Sequence, residues 1–325
     1  MSFSSRRPAI PPYLTIFIGI LAVSTASIFI RYAQEYAPSF VIAAWRLTLA
    51  TLVLTIPALT RQRAELNRLT RGEVILAMIS GIVLAAHFAS WISSLEYTSV
   101  ASSVVLVSTS PLFVALISPL FLRERLSGAA LSGLILAMAG GAVVGLSDTC
   151  SWHGLQITCP SISKFLSGRA FWGDVLALLG AIAAAIYMLI GRRLRPRMTL
   201  ISYTFLVYGI AALVMIGVVI ASRQHFVGYP GKAYLWFLSL ALIPQLLGHS
   251  TFNWALRYLS AVFVSITLLG EPIGSTLLAY FLLKEIPSNL KIFGAILILM
   301  GIFIASRGES PRAASLGKDI THEYQ

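Results

Sequence analysis

The chain repeats itself. Shifted by 161 residues and laid over itself without gaps, it pairs Gly19 with Gly180, Ala22 with Ala183 and Arg31 with Arg192. The register holds through Leu95/Leu256, Tyr97/Tyr258, Ser99/Ser260, Pro111/Pro272, Leu122/Leu283, Glu124/Glu285, Gly133/Gly294 and Gly140/Gly301. Each half holds five hydrophobic stretches. An odd number of crossings would place the second copy in a membrane upside down relative to the first. Inverted repeats of this kind build two alternating gates around one midplane site in secondary transporters.

Composition decides the setting. Hydrophobic residues make up 57% of the 325-residue chain and charged residues only 11%, against about 25% charged in a soluble domain. Ten apolar stretches, from Tyr13–Ile30 and Phe40–Leu59 to Ala261–Leu283 and Ile292–Ala305, run near the ~20 residues a helix needs to cross about 30 Å of hydrocarbon. A backbone in lipid must satisfy its own polar groups, so these stretches read as helices. The predicted fold class is an all-α integral membrane protein, with ten transmembrane helices arranged as two inverted five-helix repeats. This divides the chain into a cytoplasmic N-terminus (1–12), a first repeat (13–146), an extracytoplasmic connecting loop (147–170), a second repeat (171–306) and a polar cytoplasmic tail (307–325).

The net charge of +12 is a topology signal and not a nucleic-acid footprint. With the N-terminus inside, sixteen of the 24 Lys and Arg residues fall on inner segments, among them Arg61, Arg63, Arg68, Arg192, Arg193, Arg195 and Arg197. Seven fall outside, and Arg46 lies within a span. The bias puts both termini in the cytoplasm of a multi-pass protein of the plasma (inner) membrane. Arg6-Arg7 fits the lead of an uncleaved first helix better than a twin-arginine signal, since no small-residue cleavage site follows and nine more spans do. Cys150 and Cys159 share the outer loop. An oxidising exterior permits a bridge there, with two unpaired thiols as the alternative; catalysis or metal binding with His153 is not expected.

Candidate chemistry is sparse. Of twelve acidic residues, eleven lie in loops, near helix ends or in tails, and Glu271 alone sits in mid-span. A carboxyl there is costly in lipid and has to face protein or a water-filled cavity. It is a candidate proton carrier or ligand for a substrate amine, and the polar stripe Thr267, Glu271, Ser275 continues on its face. The alternative is a buried carboxyl that only bonds a neighbouring helix. Pro272 follows it; proline deletes a backbone donor and crowds the carbonyl four residues back, so the helix should kink at mid-membrane. Its echo is Ser110-Pro111, behind Ser108-Thr109, and two such kinks would release carbonyls toward a cavity.

Arg46 has several roles open to it: holding a substrate carboxylate, pairing with Glu271, bonding carbonyls or snorkelling. His87 and Trp91 share a helix face with Ser90 and Ser94, and Gln245, His249 and Asn253 form a polar ladder on the eighth stretch. Aromatic rings with a few convergent polar groups describe a small-molecule cavity; helix–helix hydrogen bonds, about 1 kcal/mol or less each, are the alternative. No carboxylate pairing or HExxH spacing suggests a metal, and no cofactor is implied, with proton coupling left open. Gly133, Ala137, Gly141 and Gly145 line one face of the fifth stretch, matched by Gly294 and Gly301 in the tenth. Such faces suit packing within the bundle or a dimer seam.

With these elements in place, the chain resembles the drug/metabolite transporter superfamily, specifically the ten-helix bacterial EamA-type transporters, over about residues 14–306. The resemblance rests on Ser110-Pro111-Leu112-Phe113 followed by Leu122-Arg123-Glu124-Arg125-Leu126, and on Glu271-Pro272 followed by Leu283-Lys284-Glu285. Gly133, Gly140, Gly294, Gly301 and the Trp45-Arg46-Leu47 segment add to it. It implies two five-helix repeats around a central cavity, the fifth and tenth helices away from it, and alternating access for small metabolites, often exported amino acids or related compounds. It also implies Glu124 and Glu285 as caps or turn partners. The long outer loop departs from the shortest family pattern.

Two rivals stand beside a transporter. A membrane-embedded enzyme would need a nucleophile with its base, paired carboxylates or a metal cluster, and no such set is legible, so the reading is not an enzyme. A receptor or scaffold would bind without moving its ligand. Expected partners are a small-molecule metabolite and membrane lipid, with no nucleic acid, and the chain as monomer or homodimer. Impermeant thiol reagents on intact cells should label cysteines introduced within 148–169 and spare those within 61–71 and 192–198. Labelling of Arg195→Cys would reverse the orientation.

Overall fold

The structure, a computed structural model, describes residues 12–122, 127–146, 151–153, 156–158, 168–284, 286 and 288–307. In chain order its long helices are α1 (Tyr13–Gln34), α2 (Ser39–Arg61), α3 (Arg71–Ser94), α4 (Ser102–Phe121) and α5 (Gly128–Leu146), then α6 (Arg169–Leu194), α7 (Leu200–Ala221), α8 (Gly231–Ala255), α9 (Ala261–Leu283) and α10 (Asn289–Arg307). Among the described residues eight of these are long and apolar enough to cross a membrane; the apolar stretches of α5 and α10 are shorter, Gly128–Val143 and Ile292–Gly301. Between α5 and α6, strand Ser151–His153 pairs antiparallel with Gln156–Thr158, Ser151 opposite Thr158. Cys150, Cys159, Glu124 and Glu285 lie outside the described residues, and with them the expected bridge and caps.

The helices outrun their apolar stretches. α1 and α6 carry Arg31 and Arg192 as helical residues, where a loop was expected. The extra turn has a use. Arg31 Nη2 donates to the Thr98 carbonyl at 3.2 Å, and Arg192 Nη1 donates to the Leu256 carbonyl at 2.8 Å. One turn on, Gln34 Nε2 donates to Ile92 and Arg195 Nε to Asn253, each at 2.9 Å. In this second pair donor and acceptor are both exactly one repeat apart in sequence. The bonds satisfy carbonyls at or just past the ends of α3 and α8, where no helical partner remains. Ser99 and Ser260 act alike at the other kind of end: each hydroxyl accepts from the backbone N–H three residues on, at 3.2 and 3.1 Å, and so caps the start of its helix.

Both prolines break their helices. The segment Val100–Val107 stops at Ser108-Thr109 before Ser110–Phe121 begins. In α9, Ala261–Thr267 passes through a 3₁₀ turn, Leu268–Gly270, into Glu271–Leu278. Each proline then sits in the first turn of the second half, where a missing N–H costs little. Three other irregularities were not expected, one of them a π-helical segment, Ala279–Leu283, that ends α9. α1 is interrupted at Thr25, whose hydroxyl turns back to the Ala22 carbonyl at 2.7 Å. α8 widens into a π-helical segment, Ala241–His249, around Pro244. Their counterparts α6 and α3 run unbroken, so the two halves are not equivalent.

Glycine sets the close crossings. A Cβ on Gly180 of α6 would come 3.3 Å from that of Trp91 in α3, and one on Gly19 of α1 would come 2.8 Å from Thr251 Cγ2 in α8. Between α5 and α10 the fit is reciprocal: a Cβ on Gly140 would meet the Gly294 carbonyl at 2.6 Å, and one on Gly301 the Gly133 carbonyl at 2.5 Å. These glycines therefore serve packing within one chain. Gly140→Ala should cost about 1–3 kcal/mol by overpacking, read as a lower melting temperature in detergent. Gly72→Ala, which meets nothing within 4 Å, should show no such loss.

Candidate functional site

About 650 Å³ of atom-free space, its mouth included, lies among α1, α3, α4, α6, α8 and α9. Its walls are mostly apolar, with Val23, Val107, Met188, Phe252 and Leu268 among them. His87, Trp91, Ser110, His249, Asn253 and Glu271 supply polar edges, a composition suited to a small molecule. Neither α5 nor α10 contributes a lining residue. Six of the eight expected site residues thus meet at one cavity; Arg46 and Gln245 do not line it.

Glu271 stands where α9 restarts, 9% exposed. Its own N–H bonds the Leu268 carbonyl in the 3₁₀ turn. The expectation that Pro272 releases that carbonyl toward the cavity is therefore corrected: the tighter turn takes it up. Stitches to α1 hold the break. Ser24 Oγ donates to the Ile20 carbonyl at 2.8 Å and lies 3.4 Å from that of Glu271, and Ser275 Oγ donates to the Ser24 carbonyl at 3.1 Å. Ser275 thus faces α1, while Glu271 of the same stripe lines the cavity.

On the opposite wall, His87 Nδ1 lies 2.9 Å from the Gly180 carbonyl. A carbonyl only accepts, so Nδ1 carries the hydrogen and Nε2 of the neutral ring is an acceptor. The His87 ring stacks on Trp91 at 5.8 Å between centroids and sits 6.3 Å from that of His249. Ser94 is used structurally, its hydroxyl 2.5 Å from that of Ser103. The Asn253 amide reaches the hydroxyls of Tyr187 at 2.6 Å and Tyr208 at 3.3 Å. Tyr208 lies 3.4 Å from Ser250 Oγ, and Tyr203 lies 3.1 Å from Ser80 Oγ.

Sequence reasoning missed these tyrosines by counting them as apolar filling. Their signal was position: Tyr187, Tyr203 and Tyr208 are buried inside the bundle, whereas belt tyrosines face the membrane interface.

Arg46 is fully buried, at 0% exposure, which rules out snorkelling. Its Nε donates to Gln245 Oε1 at 2.7 Å, and its Cζ lies 4.1 Å from the centroid of the Phe88 ring, within cation–π range. Nη1 and Nη2 have no hydrogen-bond partner, so no direct pair with Glu271 is formed. Arg195, expected as a cytoplasmic label site, is 1% exposed and also bonds the Met198 carbonyl. Burial pushes its guanidinium down to about 10, so it is charged at neutral pH. Arg197, exposed on the same turn, is the better position for labelling.

A bundle of apolar helices around a mixed cavity defines an integral membrane protein whose two halves enclose space of small-molecule size. The EamA-like transporter family matches residues 10–146 and 171–307, and the chain belongs to that family, within the drug/metabolite transporter superfamily. Among its relatives is the uncharacterized transporter YyaM of Bacillus subtilis, 22% identical over 303 residues, which are 90% of this chain and 94% of that one. The pseudopaline exporter CntI of Pseudomonas aeruginosa is 26% identical over 296 residues, covering 90% and 95%. A solved crystal structure aligns with a TM-score of 0.69 at 21% identity, covering 91% and 96%; it shows the fold alone. The chain is thus a multi-pass membrane transporter of small molecules.

Asn253→Leu should leave the bond from Arg195 intact, since that bond ends on the backbone carbonyl. It should still lower stability by about 1–3 kcal/mol by stripping a donor from buried hydroxyls, read as a lower melting temperature.

Proposed function

We propose that this transporter exports small metabolites, amino acids or related compounds, across the plasma membrane by alternating access around the cavity, with Glu271 as the binding or coupling group. The carrying observation is the placement of Glu271: the one acid in mid-span is also on the cavity wall and at the break of α9. A carboxyl in that setting is costly, and such residues mark solute and proton paths. Breaks in α4 and α9, related by the repeat and adjoining the cavity through Ser108, Ser110 and Leu268, give the alternation points at which to bend. The relative named as an exporter of pseudopaline supports the outward direction. In this reading ten helices cross the membrane, both termini are cytoplasmic, and Glu271 either exchanges a proton with the cycle or binds an amine of the solute.

Glu271→Gln keeps size and hydrogen bonding but removes titration. In proteoliposomes the variant should insert and fold like the parent, and its flux should lose its dependence on pH. If instead affinity for a cationic amine falls at every pH while exchange of neutral analogues persists, Glu271 is a direct ligand and coupling lies elsewhere. Unchanged affinity together with an unchanged pH profile would reduce Glu271 to a structural residue.

A further inference from the structure

Arg46 is a charge that the cavity, as described, does not use. A guanidinium removed from water costs several kcal/mol unless it is paired, and this one is 0% exposed. Other arginines of this chain show what a structural role looks like. Arg31, Arg192 and Arg195 all bond backbone carbonyls at helix ends. Arg46 bonds none. It is instead held by Gln245 at Nε and by the Phe88 ring against its plane. That grip leaves Nη1 and Nη2 unbonded, and two terminal nitrogens are the fork that meets both oxygens of a carboxylate.

We propose that this fork is the anionic-group pole of the transport site, and that the transported molecule carries a carboxylate which Arg46 takes. The proposal rests on the transport reading above and narrows its substrate. Glu271, the acid in mid-span, stays on the cavity wall and is not bonded to the fork. Between Arg46 and a lining residue stands one ring: Phe88 covers Arg46 with its face and meets His249 edge-on at 5.3 Å. Parting these two rings gives a bound carboxylate access to the fork.

The holder of the fork is also wired to the cavity. Gln245 lies on the π-helical segment of α8, the kind of irregularity that gathers at functional sites. Its carbonyl lies 3.5 Å from Ser250 Oγ; Ser250 adjoins Tyr208, and Tyr208 adjoins Asn253 on the cavity wall. With Arg46 taking a carboxylate, Glu271 is left for an amine, and Val23, Val107, Met188 and Leu268 for an apolar body. The ligand class is an amphiphilic amino acid or a compound built like one.

The test uses the full-length protein in proteoliposomes with L-leucine and L-phenylalanine, each beside its carboxamide. A site built to bond a polar group strongly rejects an analogue lacking it, so the parent should move each acid at least about tenfold better than its amide. Arg46→Lys keeps the charge and loses the fork. It should raise KM for both acids about tenfold, with kcat little changed, and leave the amides unaffected. Equal loss for acids and amides in a variant that elutes and melts like the parent would make Arg46 a packing residue and overturn the proposal. If that variant does not fold, the acid-to-amide ratio of the parent decides alone. Amides moved as well as acids would sink the carboxylate pole while leaving the transport reading standing. A parent that moves none of the four probes would overturn the amino-acid reading and this proposal together.

Discussion

Inside hydrocarbon no water is available to repair a broken helix, and that constraint governs how this molecule is assembled. Every interruption of a helix frees polar backbone groups worth several kcal/mol apiece if left bare. The structure closes its breaks locally. The 3₁₀ turn at Leu268–Gly270 uses the carbonyl that Pro272 would strand. Ser24 and Ser275 then tie that break to α1 close to its own interruption at Thr25. Helix ends follow the same rule, with Arg31, Gln34, Arg192 and Arg195 closing the carbonyls of α3 and α8. Three of these four donors are cationic, and positive charge at a helix C-terminus gains a further few tenths of a kcal/mol, up to about 1, from the macrodipole.

Symmetry and asymmetry have separate tasks. The residues that echo across the two halves are mostly those of the frame: serine caps, carbonyl clamps, and glycines at crossings. The residues that differ are those of the cavity. Glu271 stands where its repeat counterpart is Ser110, so one wall carries an acid and the other a hydroxyl, and both line the space. α1 is broken where α6 is not, and α8 widens where α3 does not. A duplicated frame with an unduplicated lining gives two similar halves around an asymmetric cavity.

Much of the frame was legible in the sequence because membrane helices are written in long apolar runs and prolines mark their breaks. Glu271 and the histidine faces were legible because polar residues in lipid are rare enough to stand out. Three things were not. Helix ends outran the apolar runs, since Arg31 and Arg192 pair with carbonyls that only the packed structure supplies. The π-segment around Pro244 could not be told from an ordinary proline kink, because both follow from the same missing donor. The tyrosine network escaped because a phenol counts as apolar until its neighbours are known. Arg46 was half legible: its depth was plain, but its grip by Gln245 depends on bringing α2 against α8, a contact between residues 199 apart.

The same features indicate where the bundle can bend. α3 and α6 are unbroken rods that cross closely at Gly180, whereas α1, α4, α8 and α9 each carry an irregular turn. Sharp bends occur at prolines and π-segments, and hinges absorb their change of backbone angle over a few residues. All four irregular helices border the cavity, and α3 and α6 complete its wall. The clamps tie α1 to α3 and α6 to α8 near one end of each pair. A broken helix tied at one end to a straight one retains its freedom at the turn and beyond it, so the flexible points lie along the cavity wall and the rigid ones at the helix ends. In the proposed transport cycle, that distribution would let the lining rearrange around a solute while the frame keeps its backbone bonds.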